Sequence, residues 1–205
     1  MNAPEAVPTG NTYDKYATKN PIERRLVANF LARLDDMLPA RTPARILEVG
    51  IGEGDVAARV TERFPEASFV GIDLPDVSLA ERWSTIGLAG CFADIAALPF
   101  PDDTFDLVLA IEVLEHVPHP DAALRELTRV ATRDVVLSVP HEPIWRVANM
   151  ARGKYLGQLG NTPGHIQHWS RRRFVELAGR HFAVRSVRSP FPWTLVSCAR
   201  TAPMG

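Results

Sequence analysis

Apolar side chains recur at Ile22, Leu26, Phe30, Leu34 and Leu38, with Val27 and Leu31 alongside. This spacing predicts an amphipathic helix over residues 21–38. After the break at Pro39 to Pro43 the pattern changes to short apolar runs separated by helix-like segments. The runs predict strands at 45–49, 68–72, 89–92, 105–111 and 134–139, and the segments between them predict helices at 55–64, 76–84 and 121–131. Asp121 stands where it can cap the last of these helices, which carries Leu124, Leu127 and Val130 at helical spacing. Two further runs, 182–188 and 193–199, flank a turn at Pro190 to Pro192 and read as an antiparallel edge pair.

Strands alternating with helices imply an α/β fold, a Rossmann-like three-layer sandwich with a seven-stranded, mostly parallel sheet. Residues 1–20 are polar and rich in Pro, Asn and Thr, an arm ahead of a single domain over 21–205. Residues 141–170 interrupt the alternation with glycines and prolines among Ile144, Trp145, Met150 and Leu159, and read as a partly helical insertion over a substrate site.

The first strand ends in Gly50-Ile51-Gly52-Glu53-Gly54 and leads into a helix, where the chain turns sharply and backbone can approach a ligand. A dinucleotide fingerprint needs Gly or Ala three positions after Gly52, where this chain has Asp55, and no Gly-Lys-Ser/Thr phosphate loop is present. Glu48, Glu53 and Asp55 also crowd the turn with negative charge and disfavour a pyrophosphate. Asp73, at the end of the second strand, is placed to accept hydrogen bonds from both hydroxyls of a ribose, with Leu74 beside it. One strand further on, Asp94 offers a carboxylate to an exocyclic amine, and Ile95 an apolar face to a flat ring. A nucleoside without phosphate and with a positive charge fits this pattern.

The series ILEVGIGEG at 46–54, GID at 71–73 and ADIAALPFPDDTFDLVLAIEVLEHV at 93–117 resembles the motifs of class I S-adenosylmethionine-dependent methyltransferases, over about residues 40–140. The resemblance extends to the type 11 methyltransferases and those of ubiquinone biosynthesis. It implies S-adenosyl-L-methionine as the methyl donor. Glu48, Gly50 and Gly52 would surround its methionine moiety, Asp73 the ribose, Asp94 and Ile95 the adenine, and Ile111 with Glu112 the floor near the sulfonium. The rival readings are an NAD-dependent enzyme, opposed by Asp55 and the acidic turn, and a noncatalytic nucleoside-binding module, opposed by Asp73 and Asp94.

Methyl transfer from a sulfonium needs an aligned nucleophile and a dry site, and a base only for a hydroxyl or a protonated amine. Five of the six histidines, His116, His119, His141, His165 and His168, fall in connections at the carboxyl edge or in the insertion, and His116, His141, His165 and His168 are the candidate bases. Glu112, Glu115 and His116 stand at i, i+3 and i+4, on one side of a helical turn. This Glu-x-x-Glu-His pattern with a later His-x-x-x-Trp resembles metal-assisted small-RNA 2′-O-methyltransferases, with His165 as the matching fourth ligand. A divalent metal is therefore a second expectation, since two carboxylates and two imidazoles suit Mg, Mn or Zn.

Charge then narrows the partner. The total is -1 for 205 residues, yet residues 141–205 hold ten basic side chains against Glu142 and Glu176, a net +8, leaving -9 on residues 1–140. The neutral total and the acidic first 140 residues argue against nucleic acid, and a small-molecule or lipid-like acceptor is expected instead. The basic third with its tryptophans also suits contact with a membrane surface, and no apolar stretch is long enough to span one. Cys91 and Cys198 lie in apolar stretches and read as buried, reduced thiols of a cytoplasmic protein. Tyr13, Tyr16 and Lys19 would let the arm fold over the cofactor.

Overall fold

In the computed structural model, which describes residues 18–151, 153, 156–162 and 164–201, the seven strands form one sheet in the order β3-β2-β1-β4-β5-β7-β6. The strands are β1 Arg45–Val49, β2 Ser68–Asp73, β3 Gly90–Phe92, β4 Phe105–Ile111, β5 Ala131–Pro140, β6 Phe182–Arg188 and β7 Trp193–Arg200. β1 to β5 are mutually parallel. The expected antiparallel edge pair is present: β6 and β7 run antiparallel to each other at one end of the sheet, with β6 outermost and β7 next to it. β7 is inserted between β5 and β6, antiparallel to both.

The central strands are near-continuous apolar runs because helices cover both faces. On one face Phe30 and Leu34 of α1 (Pro21–Asp35) and Val56 and Val60 of α2 (Asp55–Arg63) pack with Ile46, Leu107 and Leu109. On the other, Leu124 and Leu127 of α4 (Pro120–Val130) and Phe174 and Leu177 of α6 (Arg171–Gly179) pack with Leu47, Val108 and Val135. Asn20 caps α1, accepting from the backbone N–H of Ile22 at 2.9 Å, with Pro21 in the first helical position. The helix ends at Asp35, short of the expected 38, though Met37 and Leu38 remain buried in the same core. The remaining helices are α3 (Val77–Thr85), on the edge beside β3, and α5 (Ile144–Ala151), in the 141–170 segment.

Two local expectations are corrected. α4 starts after His119, and Asp121 lies inside its first turn, where its carboxylate takes His181 Nε2 at 2.8 Å instead of capping the helix. Cys91 is exposed, because β3 is a three-residue edge strand with no cover, while Cys198 is buried in β7 and its thiol is pushed up to about 12 by burial. No helix among the described residues is long and apolar enough to cross a membrane. Tyr13 and Tyr16, and with them most of the expected arm, lie outside the described residues.

The order of strands reverses between β1 and β4, the switch point where ligands of open α/β sheets bind at the carboxyl ends of the strands. The glycine turn follows β1 and Glu112 follows β4, so both face that crevice.

Candidate active site

β1 delivers Glu48 between Gly71 of β2 and Leu109 of β4, leaving its side chain 2% exposed. Its Oε2 has no hydrogen-bond partner among the described residues. Burial drives the Glu48 carboxyl well above its ordinary range, and the charges of Asp73 and Asp55 push it the same way. Above it, Gly50, Gly52 and Gly54 have φ of 72°, 50° and 91°, a left-handed backbone that side chains resist. At Gly50 space is a second constraint, since a Cβ there would stand 2.2 Å from Val113 Cγ2.

Asp73 ends β2 against this turn and accepts the N–H of Gly52 at 2.7 Å on Oδ2 and that of Leu74 at 2.7 Å on Oδ1. Burial raises its pKa, and these two N–H groups counteract the rise. The Gly52 carbonyl in turn accepts Trp83 Nε1 at 2.8 Å. The turn is thus braced on both sides, and each Asp73 oxygen keeps a second lone pair. Leu74 is at the surface. Asp94 is exposed, with Oδ1 accepting the N–H of Ala96 at 2.8 Å, and Ile95 is buried in the core. The loop that carries them is anchored by Arg129, which donates to the carbonyls of Leu98 and Phe100 and to Glu126.

At the end of β4, Ile111 is buried and Glu112 has φ 60°. The Glu112 carboxylate accepts Trp193 Nε1 at 2.6 Å and Ser138 Oγ at 3.2 Å. From Trp193 an aromatic wall runs through Trp145 (5.7 Å between ring centroids) to His165 (6.1 Å, stacked) and on to His116 (4.9 Å, edge to face). Glu115, His116 and His165 offer ligand atoms that all lie within 4.8 Å of one another. His116 Nδ1 lies 3.0 Å from the Gly164 carbonyl; a proton on Nδ1 would leave Nε2 with its lone pair. The expected four-residue metal set is therefore three: Glu112 turns to Trp193 and Ser138 and is not among the clustered groups.

The other two candidate bases are not in that cluster. His141 follows β5, bridges Trp169 and is held below its usual pKa by burial and by Arg171. His168 is exposed, with Nε2 2.8 Å from Asn161 Oδ1. Glu142, next to His141, is 7% exposed with Oε1 unpartnered among the described residues, and burial raises its pKa.

Residues 47–139 match the family model described as a methyltransferase domain. The match takes in the glycine turn, Asp73, Asp94 and Glu112. The chain is 39% identical over 119 residues to the demethylmenaquinone methyltransferase of Thermus thermophilus, covering 54% of each. It is 31% identical over 126 residues to the malonyl-[acyl-carrier protein] O-methyltransferase of Geobacter sulfurreducens, covering 60% of this chain and 45% of that one. It thus spans about half the length of the curated relatives it matches. The S-adenosylmethionine-dependent methyltransferase structure from Mesorhizobium loti superposes with a TM-score of 0.65 at 19% identity, covering 84% of this chain and 98% of that one, a likeness of fold.

The donor set fits a cationic nucleoside: a buried carboxyl with a spare oxygen, a braced turn that admits no Cβ at Gly50, and an aspartate at the next strand end. Sequence reasoning missed what completes the site. Trp193 and Ser138 as partners of Glu112, Trp83 as the brace of Gly52, and Glu142 all come from long-range packing, and only the presence of three tryptophans in the basic third hinted at any of it.

The Glu48 carboxyl carries a prediction. A carboxyl whose folded pKa is raised above its unfolded value favours the fold fully at pH below the unfolded value, about 4.3, and costs stability as pH rises from there through the raised value. The melting temperature of the ligand-free protein is therefore expected to fall as pH rises above about 4.3, and Glu48→Gln to flatten that fall. Equal slopes in both proteins would remove Glu48 as its source.

Proposed function

We propose that the chain transfers a methyl group from S-adenosylmethionine to an O, N or C nucleophile of a small-molecule or lipid-like acceptor. The observation that carries this reading is Glu48, a buried carboxyl with an unpartnered oxygen beneath a glycine turn braced by Asp73. S-adenosylmethionine, when bound, supplies an electrophilic methyl group on a sulfonium.

In this reading Glu48, Gly50 and Gly52 hold the methionine part, Asp73 and Leu74 the ribose, and Asp94 and Ile95 the adenine. Ile111 and Glu112 form the floor, with the Glu112 carboxylate fixed by Trp193 and Ser138. Trp145, Trp193 and His165 wall the acceptor side and exclude water, and the 141–170 segment acts as a lid, tied together by Trp145 Nε1 donating to Thr162 Oγ1 at 2.9 Å. His116, His165, His141 and His168 are the groups available to take a proton from a hydroxyl or ammonium acceptor, and burial with the Arg171 charge holds the pKa of His141 below its ordinary value. The relatives' names, demethylmenaquinone methyltransferase and malonyl-[acyl-carrier protein] O-methyltransferase, support a small-molecule or lipid-like acceptor.

A second reading, metal-assisted methyl transfer to a hydroxyl such as a ribose 2′-OH, is favoured by one observation, the Glu115, His116 and His165 cluster. These residues would hold Mg, Mn or Zn, which would orient an acceptor oxygen. Calorimetric titration tests both. S-adenosylmethionine and S-adenosylhomocysteine are expected to bind at micromolar concentration and NAD not at all. One Mn or Zn per chain, lost in His165→Ala, would support the metal. Failure of both sulfur nucleosides to bind would overturn the first reading, and no metal uptake the second.

A further inference from the structure

The same edge of the sheet that carries the candidate site also carries an unusual surface. β5 is followed by His141, whose N–H donates to the Pro192 carbonyl and which bridges Trp169. Phe191, the start of α6 and the start of α5 therefore converge on one residue. Pro143, just ahead of α5, and Val147 and Met150 on it are exposed and fall at i, i+4 and i+7, along one side of the helix. Leu159 is tied to this helix by its backbone, its carbonyl accepting Arg146 Nε at 3.0 Å while the next residue, Gly160, lies against Met150. Val147 is 57%, Leu159 66% and Phe191 51% exposed. Large apolar side chains left this open in a cluster mark a surface that meets something apolar.

The same edge is cationic. Arg171, Arg172 and Arg173 form the first turn of α6, all exposed, and Arg188 ends β6 at the same edge. Cations at a helix N-terminus are placed against the helix dipole, so α6 gains nothing from them. Arg172 alone meets a carboxylate, Glu176 at a loose 3.7 Å; Arg171 and Arg173 pair with none among the described residues. The nearby acid, Glu142, is buried and does not offset them at the surface. Exposed apolar side chains at a sheet edge that also carries exposed arginines suit an anionic lipid bilayer, where rings and aliphatic chains enter the acyl boundary and guanidinium groups meet phosphate. A nucleic acid would use the arginines and leave Val147, Leu159 and Phe191 in water.

We propose that the carboxyl edge of the sheet, with α5, Leu159 and Phe191 beside Arg171, Arg173 and Arg188, docks reversibly on an anionic membrane surface, facing the candidate site toward the bilayer. The proposal builds on the methyl-transfer reading, since the bilayer would be the source of a lipid-like acceptor, but docking itself does not require that reading.

The test is sedimentation of the full chain with phosphatidylcholine vesicles, with and without about 30% phosphatidylglycerol, beside calorimetry with S-adenosylhomocysteine. Binding is expected to the anionic vesicles only and to weaken with salt. Each basic side chain at such a surface is worth about fivefold, so Arg171→Glu with Arg173→Glu is expected to lower binding at least about 25-fold. Val147→Ser with Leu159→Ser is expected to lower it about tenfold, with S-adenosylhomocysteine affinity unchanged in both variants. No binding to anionic vesicles overturns the proposal, as does equal binding by the charge-reversed variant. Loss on charge reversal with no effect of the apolar pair would mean simple polyanion attraction, and would also overturn it. Failure of S-adenosylhomocysteine to bind while vesicles still do would strike the methyl-transfer reading alone.

Discussion

Gly50→Ala is expected to destabilise the protein by about 2–5 kcal/mol and to abolish measurable nucleoside binding. Two costs add. An L side chain at φ 72° pays about 1–2 kcal/mol for the left-handed backbone, and forcing a Cβ to within 2.2 Å of Val113 Cγ2 costs about 1–3 kcal/mol of overpacking. The second cost can be removed by itself. Val113→Ala in the same chain takes away the methyl that is struck, so the double variant is expected to regain the steric part and keep the backbone part. Urea denaturation of the wild type, the two single variants and the double variant measures the cycle. Full stability in Gly50→Ala would mean that the turn has another low-energy course than the one described.

Asp73→Ala is expected to weaken S-adenosylhomocysteine by about 1.5–3 kcal/mol, roughly 10- to 150-fold, the value of hydrogen bonds to a charged group. The structure adds a reason that the expected ribose contact does not contain. Oδ2 holds the N–H of Gly52 and Oδ1 that of Leu74, so the carboxylate shapes the turn as well as facing the ligand. Asp73→Asn separates the roles: its single carbonyl oxygen can hold one N–H and still accept one hydroxyl, so an intermediate loss is expected. Calorimetry on both variants decides the matter. Unchanged affinity in Asp73→Ala would take the residue out of the site and leave it as a brace only.

These two residues were legible in the sequence because their constraints are local. A glycine turn after an apolar strand, and an aspartate after the next strand, place themselves at the carboxyl edge as soon as the strands are parallel. The strands were legible for a related reason, since RILEV and FDLVLAI are apolar without alternation and a sheet covered on both faces asks for that. Where the outcome depended on partners far along the chain, the reading failed or fell short. Glu112 stands beside Glu115 and His116 in sequence, yet its carboxylate is claimed by Trp193, 81 residues away. Asp121 has the position of a cap, but His181, 60 residues on, takes it. Cys91 sits among apolar neighbours and is exposed because the strand that holds it is an edge only three residues long. Glu142 gave no signal at all, for an orphaned oxygen is a property of what surrounds it.

The place of β7 has a consequence for how the chain is made. β6 leaves the ribosome first, but the position it will occupy is defined by hydrogen bonds to β7, which follows it and must itself pair with β5. Until Trp193–Arg200 has been synthesised, β5 presents an open edge and β6 has no neighbour to join. Assembly of this half of the sheet is therefore delayed relative to translation, and during the delay the apolar backbone edge of β5, Val135 to Val139, is open to pairing with other chains.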